Sequence, residues 1–143
     1  MKKLSFIPVL IMILAFFWNC GDDELTATGK LLKMASDTIE VAYGDTVYAP
    51  GGYDRITFDS LLQESRCPTG VVCVWEGNGS IQMSLLTESK KVSFILNTHP
   101  DFTNDTTTVG YYISLVELNP YPHIDSTYTE KDYRAVILVR TEI

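Results

Sequence analysis

From Ile39 to Val139 apolar residues recur at every second position in short runs, and turn-forming residues stop each run. Ile39-Val41-Tyr43 alternates up to Gly44-Asp45, and Thr46 to Ala49 ends at Pro50-Gly51-Gly52. Ile56-Phe58, Val72-Val74, Ile81-Met83-Leu85 and Val92-Phe94-Leu96 follow, then Tyr111-Ile113-Leu115 before Asn119-Pro120, and finally Tyr133-Ala135-Ile137-Val139. A period of two puts alternate side chains on one face of a strand, and no stretch carries the 3.6-residue stripe of a packed helix. The runs amount to about seven to nine strands at intervals of about ten residues, the pattern of an antiparallel all-β domain.

Of the two all-β solutions, an immunoglobulin-like β-sandwich is expected over a closed lipocalin-like barrel. Strand spacing is irregular, and the long breaks at His99–Thr108 and Pro120–Asp132 suit passages between two sheets better than successive hairpins. Ser60 to Gln63 is a candidate helical turn, and no internal repeat is present.

The chain opens with Lys2 and Lys3, continues through the apolar stretch Leu4 to Trp18, and turns acidic at Asp22-Asp23-Glu24 after Asn19-Cys20-Gly21. That is the layout of an export signal. The apolar run is short for a membrane span, which needs about 20 residues, and it contains Pro8. Cys20 at the junction resembles the lipidated cysteine of bacterial lipoproteins, although Phe17, Trp18 and Asn19 are bulkier than the strict form of that signal allows. The resemblance implies a signal peptide at 1–19, acyl chains on Cys20, and a flexible acidic tether at 20–29 before a single β-domain at 30–143. It implies a membrane partner through the lipid, in the outer membrane of a bacterial envelope, and the acidic run resembles signals for outer-surface display. Removal of Lys2 and Lys3 with the signal takes the formal charge from -7 to -9. A body that acidic disfavours nucleic acid or anionic lipid as a direct partner, because both carry the same sign.

Three cysteines in an exported chain normally leave one thiol over. With Cys20 taking the lipid, Cys67 and Cys73 remain for each other in an oxidising compartment. Pro68 and Gly70 between them favour chain reversal. A structural zinc site wants four ligands, and a thioredoxin-type pair wants two intervening residues at a helix start; neither fits. A disulfide-braced turn is the expectation, with Trp75 packed on it as a core plug and Glu76-Gly77-Asn78-Gly79 as a turn.

The stretch SRCPTGVVCVWEGNG, preceded by TFDSLLQE and followed by LNPYP and YRAVILV, resembles a family of small bacterial secreted proteins and lipoproteins with an SRCP-x-G-x-x-C-x-W-x-G signature. The likeness spans about Gly44 to Val139, and Asn78 stands where members often have alanine. It implies one extracellular fold and carries no activity with it.

Catalysis needs convergent groups of tuned acidity, and the chain offers few. Its two histidines, His99 in THPD and His123 in PHID, each precede an aspartate by two residues. Two solvated loop histidines beside turn-forming aspartates is the expectation; His99, Asp101, His123 and Asp125 as a metal set is the weaker alternative. No nucleophile elbow is present, and no cofactor or metal is expected. Asp-Ser/Thr-x recurs at Asp37, Asp45, Asp59, Asp105 and Asp125, resembling an envelope O-glycosylation pattern but equally suited to turns. Tyr112, Tyr121 and Tyr128, with His123, form the best candidate recognition surface, since tyrosine joins a large contact area to a polar tip. The expected role is non-catalytic: a monomeric, envelope-anchored binding or structural module for a glycan or protein. The alternative is a proteinase inhibitor presenting the Cys67–Cys73 loop.

Overall fold

The computed structural model describes residues 36–142. Cys20, the 1–19 signal and the 20–29 tether lie outside the described residues. Eight strands form among those described: β1 (Ser36–Ala42), β2 (Thr46–Tyr48), β3 (Arg55–Glu64), β4 (Gly79–Leu86), β5 (Lys91–Asn97), β6 (Asp105–Thr108), β7 (Tyr111–Asn119) and β8 (Arg134–Thr141). They make two antiparallel four-stranded sheets, ordered β1-β8-β7-β6 and β2-β3-β4-β5. The antiparallel sandwich read from the alternation is therefore what the chain forms, and the sheets do not close into a barrel.

The alternating residues meet between the sheets. Val41, Ile56, Phe58, Ile81, Met83, Leu85, Leu96, Ile113, Ile137 and Val139 belong to one buried cluster drawn from both layers. Burying a side chain of this size stabilises by about 1.5–3 kcal/mol, which is why a one-residue slip of any strand would be so costly.

Connections within each sheet are hairpins between neighbours, an order distinct from the interleaved strands of an immunoglobulin domain. The chain changes sheet between β1 and β2 and between β5 and β6. The break expected at His99–Thr108 holds the passage between sheets only as far as residue 104; its remainder, Asp105–Thr108, is the edge strand β6. The break at 120–133 instead returns to the same sheet, because β7 pairs directly with β8.

Two local expectations are corrected. Ser60–Gln63 is strand, accommodated by irregularities at Phe58/Ser60 and Leu61/Gln63 rather than by a helical turn. Val72–Val74 is not strand: this segment lies in the 65–78 excursion joining β3 to β4, where no neighbouring strand pairs with it.

Register divides the sandwich into two poles. Glu64 pairs with Gly79, Ser80 with Asn97, and Asn119 with Arg134, so the 65–78, 98–104 and 120–133 connections leave from one pole. Arg55, Leu86 and Lys91 cluster at the other, as do Ser36, Arg140 and Tyr112. The Tyr111 hydroxyl donates to Asp54 Oδ2 at 2.9 Å and ties the two sheets together there.

Candidate functional site

The β3–β4 excursion is built as a stem and a ring. At the stem, Ser65 N–H donates to the Asn78 carbonyl (2.9 Å) and Cys67 N–H to the Glu76 carbonyl (2.8 Å). Beyond it the Cys67–Cys73 disulfide closes the ring, as the cysteine count suggests. Val72 and Val74 are fully exposed, and Trp75 is 54 % exposed. Trp75 is therefore not a core plug: its ring lies 5.4 Å from that of His99, outside the sandwich.

Arg66 is the centre of this pole. Its side chain is 5 % exposed. Nε donates to both Glu64 oxygens (2.9 and 3.0 Å) and Nη2 pairs with Glu64 Oε2. Nη1 donates to the Leu118 carbonyl at 2.6 Å and Nη2 to the Pro120 carbonyl at 3.0 Å, while the guanidinium carbon stands 4.9 Å from the centre of the Tyr121 ring. A planar fork is suited to joining a carboxylate and two carbonyls at once. Arg66 of the SRCP stretch is thus bound to Leu118 and Pro120 of LNPYP and faces its Tyr121. Tyr133, the first residue of the YRAVILV segment, joins the same node: burial raises its hydroxyl's pKa, and the charge and hydrogen bond of Glu64 raise it further.

Asn78 does the corresponding work toward the 98–104 connection. Its Oδ1 accepts from Thr98 N–H (3.2 Å) and His99 N–H (3.1 Å), and its Nδ2 donates to Asn97 Oδ1 (2.9 Å). The third connection docks on the ring itself: Thr69 N–H donates to the Pro122 carbonyl (2.9 Å) and Ile124 N–H to the Thr69 carbonyl (3.1 Å). These contacts leave a cleft of about 210 Å³ lined by Arg66, Glu76, His99, Val116, Glu117 and Tyr121 among others. A bulge between Leu115 and Glu117 places Val116 and Glu117 consecutively on the outer side of β7, where both are exposed.

The two histidines share one local design. Asp101 N–H donates to His99 Nδ1, and Asp125 N–H to His123 Nδ1, each at 3.1 Å. The His-x-Asp spacing is thus a turn in which the imidazole caps a backbone donor. His99 departs from the solvated reading: its side chain is 11 % exposed, held between Trp75 and Phe102, with Nε2 3.2 Å from Glu76 Oε1. An accepting Nδ1 puts the proton of the uncharged ring on Nε2, facing Glu76. His123 remains exposed on the 120–133 connection. Among the described residues no group of three or more His, Cys, Asp or Glu side chains is arranged to hold a metal.

The proposed tyrosine surface divides. Tyr121 lines the cleft, and Tyr128 packs edge-on against Tyr133 with ring centres 6.4 Å apart, on the same connection as His123. Tyr112 does not join them. It lies near the start of β7, about 23 Å along the strand from Asn119 at about 3.3 Å per residue, and is engaged by Asp105 and Arg140. Alternation alone does not say at which end of a strand a residue sits relative to a distant loop. Trp75, Phe102 and Val116, exposed around the cleft, are what the sequence reading missed. The tryptophan's place after a ring rather than inside a strand was the available signal.

No family model matches this chain, and neither a curated protein nor a solved structure matches it significantly.

Proposed function

We propose that this chain is an envelope-anchored lipoprotein whose folded part is a non-catalytic binding module, engaging its partner through the pole that carries the 65–78 connection. The observation that carries the reading is the concentration of exposed apolar side chains there: Val72, Val74, Trp75, Phe102, Val116 and Tyr121. Contiguous exposed apolar surface marks interaction sites, and here it is mounted on a disulfide, a buried arginine and a buried asparagine. Such preorganisation reduces the ordering cost of association. The lipid on Cys20 is inferred from the signal-like N-terminus, and incorporation of labelled palmitate that is lost in Cys20→Ser tests it.

Saturable association of the full-length chain, in detergent, with isolated native envelope tests the module. Val72→Asp and Trp75→Ser should each weaken it by about tenfold, the usual scale for a truncated contact anchor. Association indifferent to both removes the reading.

A second reading has its own support. A proteinase inhibitor needs a rigid loop projecting into solvent, and Val72 stands fully exposed inside the disulfide ring. Titration against serine proteinases that cut after small aliphatic residues decides between the two. Stoichiometric inhibition with the ring uncut favours the inhibitor; no inhibition, or rapid cleavage after Val72, eliminates it.

A further inference from the structure

Resting on the binding-module reading, we propose that the cleft receives a basic side chain, lysine or arginine, from an apolar-flanked segment of a partner protein, held between the cleft's glutamates and its aromatic rim.

Size comes first. Sites for cofactors and drug-sized ligands run to about 300–1,000 Å³. At about 210 Å³ this cleft suits one inserted side chain.

Charge decides which. Among the described residues Arg66 is the only lysine or arginine in the lining, and it is spent: Glu64 neutralises it, and the Leu118 and Pro120 carbonyls take further donors. Glu76 and Glu117 then remain as carboxylates with no cationic partner other than a protonated His99. Glu76 Oε1 lies 3.2 Å from His99 Nε2, whereas the Glu117 side chain makes no hydrogen bond or ion pair among the described residues. Asp101 and Asp125 add exposed negative charge on the adjoining connections. Arg55, Lys91 and Arg140 stand at the opposite pole by register; on the cleft's own pole Arg134 is paired with Glu40 at 3.6 Å and Lys131 sits between Glu130 and Asp132, and neither lines the cleft. Complementary charge steers encounter and sets specificity, and a cation leaving water for this cleft gains two carboxylates.

The rim supplies the rest. Trp75 gives an aromatic face to a cation, and Phe102 and Val116 give apolar contact to residues on either side of it. An anionic glycan is repelled by the same glutamates, and a neutral one has no use for their charge.

The test uses the full-length chain, immobilised from detergent, and a randomised dodecapeptide display library. Enriched peptides should carry lysine or arginine beside apolar residues. Their affinity should fall about tenfold in the double variant Glu76→Gln/Glu117→Gln, weaken with rising salt, and stay unchanged in the remote Glu142→Gln. Glutamine keeps the shape and the acceptor for His99, so loss of the fold is not expected; the circular dichroism spectrum checks this. No enrichment, enriched peptides lacking a basic residue, or equal binding to the double variant overturns the proposal. So does binding to a neutral-glycan panel that requires Trp75 but not the glutamates. If envelope association depends on Trp75 and Val72 while the glutamates prove dispensable, only this inference falls and the module stands.

Discussion

The Arg66 guanidinium, on the β3–β4 connection at the cleft pole, donates at 2.6 Å to the carbonyl of Leu118 near the end of β7. One side chain thereby fastens the β3–β4 excursion of one sheet to a strand of the other. Replacing it with methionine strands the half-buried Glu64 and two carbonyls, and should cost about 3 kcal/mol in denaturant unfolding. Arg66→Met combined with Glu64→Leu should recover much of that loss, because the uncompensated carboxylate is then gone. A double variant no more stable than the single one would place the penalty elsewhere.

Asn78→Ala leaves the Thr98 and His99 amides and Asn97 Oδ1 without their partner. Each unsatisfied buried group costs about 1 kcal/mol or more, so about 2–4 kcal/mol is expected, with a change in Trp75 fluorescence as His99 shifts. If Asn78→Ala unfolds like the wild type, the Asn78 side chain is not what holds the 98–104 connection.

Gly77 combines a left-handed φ of 75° with a neighbour that admits no side chain, since a Cβ would stand 1.8 Å from the Ser65 carbonyl oxygen. Gly51 has φ 106° and open space around its Cβ position. Gly51→Ala should therefore cost about 1–2 kcal/mol from backbone strain alone, and Gly77→Ala at least about 3 kcal/mol, roughly 12 °C or more in Tm. Equal shifts would refute the clash.

Removing the disulfide with Cys67→Ser/Cys73→Ser should lower stability by only about 2 kcal/mol, because the closed loop is short. The β-sheet circular dichroism signal should persist while proteolysis at the exposed ring accelerates. Global unfolding would make the ring a folding requirement rather than a local brace.

Burial, aided by the hydrogen bond to Asp54, pushes the Tyr111 hydroxyl up to about 12. Its un-ionised form is the one the fold favours. The stabilisation is complete below the unfolded value near 10 and drains away as pH rises toward about 12. Tyr111→Phe should flatten the fall of Tm across that alkaline window, and an unaltered profile would assign the sensitivity to other tyrosines.

Much of the sandwich could be read from side-chain period, because burial of one face imposes it: β1, β4, β7 and β8 fall where Ile39, Ile81, Ile113 and Ile137 alternate with their neighbours. β6 escaped notice because Asp105–Thr108 is polar throughout and sits at a sheet edge. Val72–Val74 misled in the opposite sense, since β-branched residues favour strands only where a sheet exists to pack them. The cysteine pairing was legible, but the site around it was not. Arg66 finds its partners 52 and 54 residues away and Asn78 finds His99 21 away, and no local pattern announces such pairings.

The first strand begins at Ser36, whose partner Arg140 lies at the end of β8 remote from the cleft. Among the described residues the chain therefore enters the sandwich at one pole and carries Trp75 and the disulfide ring at the other. Reach toward another molecule would then be a property of how the strands are wound.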